Sequence, residues 1–366
     1  MSMFEVLERP LETAEVRHAI NAIFARLEQI DAECGLGFPL YRTEGGEAWK
    51  VSVSGSWLGG FWAGLWWLRA HCTGHRDDLQ KARRIAERLR GQLDSETHHR
   101  SLIFWYGAGL GARLLADPQA EELTEQAVQR LAWAFDPVLG CIPLGREMGG
   151  GEHGDSRLSI DPLAATLQLF ALHAEPRLLG LGRQQLQTSF RACAGTGGAW
   201  SSHGHFDQGQ WQAGDVPGNW SRGQAWAMLG LETGARLYGE PFRSDGNQAG
   251  RYWRDSRGLS IPANRLDQPQ GPSDPCAAAM AALALQGRAI DAIEAEGVVE
   301  SEVLRQQAGQ LLAAIVRGAD FEEGRFIGHC YRTTATVEQK VESACGSFFL
   351  LAALLAWTGE IDPRRI

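Results

Sequence analysis

The chain has 366 residues, 44% hydrophobic and 22% charged, with 44 acidic residues against 35 Lys and Arg. The net charge of −9, without any Lys/Arg-rich run, excludes the phosphate-neutralising surface of a nucleic-acid binder, so no nucleic-acid partner is expected. The opening segment lacks a basic or apolar leader, and no apolar run reaches about 18 residues without polar interruption. Neither a secretory signal nor a membrane partner is therefore expected, and the location read from the sequence is cytoplasmic.

Helical periodicity dominates the chain and strand signals are weak. In chain order the spacing predicts helices over about 12–33, 57–73, 77–92, 101–116, 119–135, 161–174, 176–193, 220–238, 240–254, 273–286, 300–317 and 342–357. Their characters alternate. WLGGFWAGLWWLRA, LIFWYGAGLGARLL, DPLAATLQLFALHA, AWAMLGLETGARL, DPCAAAMAALAL and SFFLLAALLAW are apolar almost all round, whereas stretches such as DLQKARRIAERLRGQL carry a charged face. A helix apolar all round is buried and one with a charged face borders solvent. The alternation predicts an all-α fold, an (α/α)6 barrel of six helical hairpins with inner and outer helices alternating, as a single catalytic domain over 1–366. Seven scattered cysteines without CxxC spacing fit reduced thiols better than disulfides or a zinc site. No metal or other cofactor is expected, and nothing in the sequence sets an oligomeric state.

The connections locate the candidate site. Inner-to-outer links are short, whereas 34–56, 93–100, 136–160, 194–219, 255–272 and 318–341 are long and rich in Gly, Pro, His and Trp. In a barrel of this kind the long loops gather over the inner-helix N-termini, which favour an anionic ligand. There the chain places Trp57 and Trp62, His98 and His99, Asp161, Trp220, Arg222, Gln224 and Trp226, Asp274 and Ser347. Asp161-Pro162 and Asp274-Pro275 share the grammar of an N-cap followed by Pro at the first helical position. The other reading of Asp161 is a carboxyl beside apolar surface, with a raised pKa suited to proton donation. Arg222 and Trp226, four apart, share a helix face, and an Arg beside an aromatic ring suits a carboxylate-bearing sugar. His98-His99 and His203-Gly-His205 lack carboxylate partners at metal-site spacing. Gly149-Gly-Gly-Glu-His-Gly-Asp155 reads as a flexible flap, with Glu152, His153 and Asp155 as reserve acid/base groups.

At these strings the sequence resembles the unsaturated glucuronyl hydrolases and their unsaturated rhamnogalacturonyl relatives, from about 57 to 357. Gly-Phe-Trp-Ala-Gly-Leu-Trp-Trp (60–67) is similar to G-F-W-x-G-x-L-W, and Ile160-Asp161 to the I-D opening of an inner helix. Asn219-Trp-Ser-Arg-Gly-Gln-Ala-Trp226 is close to S/T-W-x-R-G-Q-A-W, the most specific match. Pro272-Ser-Asp-Pro-Cys-Ala-Ala-Ala279 resembles P-x-D-x-S-A-A-A, and Gly346-Ser-Phe-Phe349 resembles G-D-Y-Y. The resemblance implies the same barrel and an acidic oligosaccharide substrate ending in a 4,5-unsaturated uronic acid. An Asp, matched here by Asp161, protonates the C4 side of the enol ether and assists water at C5. The reaction is hydration, so the carboxylate-spacing rule of ordinary glycosidases does not govern it.

The chain departs from the family at the chemistry. A second Asp in H-D-x-G-F is absent from His99-Arg-Ser-Leu-Ile-Phe104, a family His falls on Trp211, and the Asp of G-D-Y-Y is Ser347. Asp155 or Asp215 is a loop candidate for the missing carboxylate. Trp57, Trp62, His99, Arg100, Trp211, Trp220, Arg222, Gln224 and Trp226 are the expected substrate-binding set around catalytic Asp161. Arg100 would grip a second acidic group. Two alternatives keep the barrel. One is a uronate lyase with His99, Tyr106 or His153 as base and Arg100 or Arg222 neutralising the carboxylate. The other is a degenerate carbohydrate-binding barrel.

Overall fold

The structure is a computed structural model that describes residues 10–295, 297–334 and 336–366. In chain order its helices are α1 (Thr13–Cys34), α2 (Gly59–Thr73), α3 (Arg76–Arg88), α4 (Arg100–Phe104), α5 (Leu110–Leu115), α6 (Pro118–Trp133) and α7 (Leu163–Ala171). There follow α8 (Pro176–Cys193), α9 (Ser221–Tyr238), α10 (Phe242–Arg257), α11 (Pro275–Ala295), α12 (Val298–Val316) and α13 (Ala344–Thr358). The strands are β1 (Phe38–Thr43), β2 (Lys50–Ser52), β3 (Arg157–Ser159), β4 (His203–Asp207), β5 (Gln210–Ala213), β6 (Phe321–Glu322), β7 (Arg325–Phe326), β8 (His329–Arg332) and β9 (Glu338–Ser343). Every predicted helical stretch holds a helix. The strands, which the sequence did not announce, lie in the long connections.

The chain contacts cluster into two units. One is Ser54–Tyr252 with Arg365; the other comprises Trp253–Arg364, Ile366 and the described residues up to Val53. In the first unit α2, α7 and α9 are buried on nearly every face, while α3 buries only Asp78, Ala82, Ile85 and Ala86. That spacing is one stripe of an amphipathic helix. Asp117 caps α6 by accepting from the Ala120 amide (3.0 Å), with Pro118 beginning the helix. Gly60 allows α2 to lie directly on α4, because a Cβ there would sit 2.6 Å from the Ile103 carbonyl oxygen. Between α4 and α5 the helix widens into a π-turn, Trp105–Gly109, where the Gly107 carbonyl accepts from Trp67 Nε1 (2.8 Å). Such bulges often occur at functional sites.

The long loops of this unit are stitched together by backbone pairing. β3, β4 and β5 form an antiparallel sheet in that order, with Ser159 opposite His203 and Phe206 opposite Trp211. The His98 amide donates to the Leu144 carbonyl (2.9 Å), Leu144 to Arg157 (2.7 Å) and Glu147 to Glu96 (3.0 Å). Loops 93–100, 136–160 and 194–219 therefore form one connected surface. The expected glycine-rich flap is a tight 3₁₀ turn, Gly151–Ser156. Its glycines are needed for close packing, since a Cβ on Gly154 would fall 1.7 Å from the Gly145 carbonyl oxygen.

In the second unit α11 and α13 form the core and β2, β1, β9 and β8 make a four-stranded sheet in that order. A buried, forked ion pair joins Arg26 to Glu342 (2.8 and 2.9 Å). Asp274 caps α11 through the Ala277 amide (3.2 Å), as its Asp-Pro grammar implies. Pro275–Ile293 is long and apolar enough to cross a membrane by length and composition alone, but 78% of that span is buried inside the protein. Its apolarity is that of a core helix. Ser347 on α13 is buried, and all seven cysteines are free thiols.

Candidate active site

Asp161 sits where β3 turns into α7. The Ile160 amide donates to the Ser202 carbonyl (3.0 Å), fixing this turn against the 194–219 loop. α7 starts at Leu163 with Pro162 in the cap position and no side-chain cap, so Asp161 does not play the role that Asp274 plays. Its Oδ1 is sealed from solvent and has no hydrogen-bond partner among the described residues. Burial raises the carboxyl pKa from 3.8 to about 7; Arg222 pulls it down, Asp215 pushes it up and a Ser159 hydrogen bond lowers it. A carboxyl in this state is half-protonated near neutrality, the condition for donating and retrieving a proton in one cycle.

Arg222 lies in the first turn of α9, buried, with its guanidinium over the Trp220 ring at 4.9 Å. Cation–π contact holds the fork in place while leaving its charge to act on Asp161. Asp215, just after β5, accepts from the Ser202 amide (2.9 Å), Ser202 Oγ (2.6 Å) and Ser201 Oγ. Ser202 Oγ also meets His203 Nδ1 (3.0 Å). Burial lowers the His203 pKa, with Asp215 acting in the opposite direction. Asp161, Arg222, Trp220 and Asp215 thus form one constellation; spacing in the sequence gave no sign of Ser159, Ser201 and Ser202.

Trp57 and His99 also meet, with ring centroids 6.3 Å apart and both rings half-buried. The neighbouring His98 is anchored to α7 through Thr166 Oγ1 (2.9 Å). Burial lowers the His99 pKa to about 4 and that of His98 to about 3, so both imidazoles are neutral at physiological pH. His99 Nδ1 is enclosed without a hydrogen-bond partner among the described residues.

The structure places five of the expected substrate contacts as follows. Arg100 is buried and donates to the carbonyls of Leu93 (2.6 Å) and Thr97 (3.2 Å), so its fork is engaged by its own loop rather than by a second acidic group. Gln224 is fully buried, accepting from the Trp200 amide (2.9 Å) and donating to the Gly198 (2.9 Å) and Ala249 (3.4 Å) carbonyls. Trp62 and Trp226 are each 2% exposed and offer no ring face to a sugar. Trp62 packs edge-on against Trp66, and α9 is buried on every face from Ser221 to Gly234, Trp226 included. Trp211 pairs with Phe206 on the sheet face toward α8, where both line a groove of about 630 Å³ with Val138, Gln184 and Arg191. His203 alternates to the opposite face. Gln224→Leu should therefore lower stability by about 3 kcal/mol, because it leaves buried backbone groups unpaired. A denaturant melt checks this; a raised KM with unchanged stability would restore Gln224 to the substrate.

The other reserve groups are placed as follows. Tyr106 is buried and stacked on Phe61 at 4.5 Å. His153 and Glu152 are exposed, and Asp155 is ion-paired with Arg146 at the surface (2.8 Å). Glu121, Glu125 and His173 come within metal-ligand spacing, but all three are exposed.

The helical-hairpin architecture defines a fold class, and the structural comparisons show the same fold. An unsaturated glucuronyl hydrolase from Bacillus sp. GL1 superposes with a TM-score of 0.81 at 19% identity, covering 93% of this chain and 96% of that one. One from Streptococcus agalactiae gives 0.81 at 19%, covering 97% and 96%. One specific for heparin gives 0.81 at 16%, covering 98% and 99%. The chain thus has the (α/α)6-barrel fold expected from its helix alternation. In sequence it is 26% identical over 221 residues to the unsaturated glucuronyl hydrolase of Bacillus sp. (strain GL1), 54% of this chain and 56% of that protein. The match thus spans little more than half the length of that curated relative. No family model matches the chain. The chain is thus similar to the unsaturated glucuronyl hydrolases in fold over nearly its whole length and in sequence over about half of it.

Proposed function

We propose that the protein, acting as one catalytic domain, hydrates the 4,5-unsaturated uronyl residue at the non-reducing end of an acidic oligosaccharide. The observation that carries this reading is the half-buried Asp161, whose Oδ1 is sealed from solvent and without a hydrogen-bond partner among the described residues, and whose pKa desolvation raises to about 7 against the pull of Arg222. Neutral Asp161 gives its proton to C4 of the enol ether, water adds at C5, and the Asp161 carboxylate takes the proton that water releases. The hemiketal formed at C5 then opens and the glycosidic linkage separates, so the balance is one water consumed. Arg222 pairs with the substrate carboxylate, and the half-buried Trp220 and Trp57 lie beside the ring. A solved relative in complex with dGlcA-GalNAc6S supports a substrate of this class.

The test is ultraviolet absorbance on a panel of lyase-cut glucuronyl and galacturonyl oligosaccharides. Loss of the conjugated enol-acid band is the expected result, and no change across the panel refutes the hydration. A rise in absorbance on intact polymer would instead identify elimination. Binding without turnover would identify a saccharide-binding barrel.

A further inference from the structure

We infer that Asp215 is a positioning residue for the proposed chemistry, a second carboxylate brought in by the 194–219 loop that holds Asp161 in its proton-donating form. The inference rests on the proposed hydration only for its kinetic arm. Its basis is geometric. Asp215 is fastened by three hydrogen bonds from Ser201 and Ser202, and the Ser202 carbonyl in turn receives the Ile160 amide, one residue from Asp161. Ser159, on the other side of that turn, stands opposite His203 in the sheet. The two carboxylates are thereby fixed on one scaffold rather than on independently moving loops.

Asp215 is held by three donors and Asp161 Oδ1 has none, and the charge of Asp215 raises the Asp161 pKa. A like charge fixed nearby favours the neutral form of a neighbouring carboxyl. The charged groups acting on Asp161 are Arg222 from α9 and Asp215 from the turn after β5, while the Cys193 thiol at the end of α8 is itself acted on by both carboxylates. The Cys193 thiol is driven up by burial, with both carboxylates adding to the effect, so it stays neutral and does not compete for the proton. The carboxylate missing from His99-Arg-Ser-Leu is thus replaced in charge, from a different loop, although not in position along the chain.

The experiment is a pH titration of Asp side-chain carbons by carbon-13 NMR in wild type and in Asp215→Asn, with Asp161 assigned by the signal lost in Asp161→Asn. Asn keeps the acceptor oxygen for the Ser202 amide. The expected result is a fall of the Asp161 midpoint by about one pH unit, the scale of a like-charge neighbour. The alkaline limb of kcat/KM should move down by the same amount. An unchanged midpoint overturns the inference, whether or not the enzyme turns over, because it leaves Asp215 with a structural role only. A shifted midpoint in a protein inactive on every unsaturated substrate upholds the coupling while refuting the hydration. Should Asp215→Asn fail to fold, Asp215→Ser is titrated in its place; loss of the fold in both makes Asp215 a strut and overturns the assignment.

Discussion

Asp161→Asn is expected to reduce kcat/KM on a 4,5-unsaturated uronyl oligosaccharide by at least about 10³-fold, and at pH 8 to give a protein more stable than wild type. The first half follows from losing the only proton shuttle assigned to C4. The second follows from linkage. The Asp161 pKa rises from an ordinary 3.8 to about 7 in the folded protein, so between those values the native state binds the proton that the unfolded chain releases. Stability contributed by this group therefore falls as pH rises through that window and is lowest above about 7, where the carboxylate is both charged and buried. An amide has no such charge to bury, and its advantage over the carboxylate at pH 8 is at most about 4 kcal/mol. Thermal melts of the two proteins at pH 5 and pH 8 measure it. A helix cap would behave oppositely, losing stability or staying level on substitution. If the variant turns over like wild type and gains nothing at pH 8, Asp161 is neither a buried acid nor the shuttle.

The second large effect concerns Arg222. Arg222→Gln should cost about 10²-fold in kcat/KM, the scale of a lost charge-assisted hydrogen bond in an enclosed site. Arg222→Lys should recover only part of this, because a point charge cannot reproduce the fork or lie flat on Trp220. The pH profile gives a further signature. Arg222 depresses the Asp161 pKa, so its removal should carry the alkaline limb upward, opposite in sign to the effect of Asp215→Asn. Steady-state kinetics from pH 5 to pH 9 on both variants read the two directions. Equal limbs and equal KM in wild type and Arg222→Gln would reduce this residue to a tie between loops.

Sequence patterning was most informative where the chain repeats one physical problem. A helix that must be buried on every face cannot carry charge, and one bordering solvent must. The alternation of α2 with α3, or α7 with α8, is therefore written in composition, as is the cap at Asp274. The same grammar misled at helix α9. Residues 222 and 226 share a face, but a helix buried all round gives no sign of which face meets a cavity, and Trp226 proves to be core while Trp220 stacks on the guanidinium. Gln224 and Arg100 were likewise drawn to the substrate by their polarity, whereas each satisfies loop backbone that would otherwise be buried unpaired.

By itself, then, the order of residues determined the helical hairpins and the candidacy of Asp161 and Arg222, because helix periodicity and capping act within a few residues. Only the tertiary structure decided that Asp161 is a buried acid while its look-alike Asp274 is a cap, that three loops are sewn together by β3, β4 and β5, and that Asp215 stands with them. Those distinctions arise from desolvation and from pairings across dozens of residues, and neither leaves a local pattern to read.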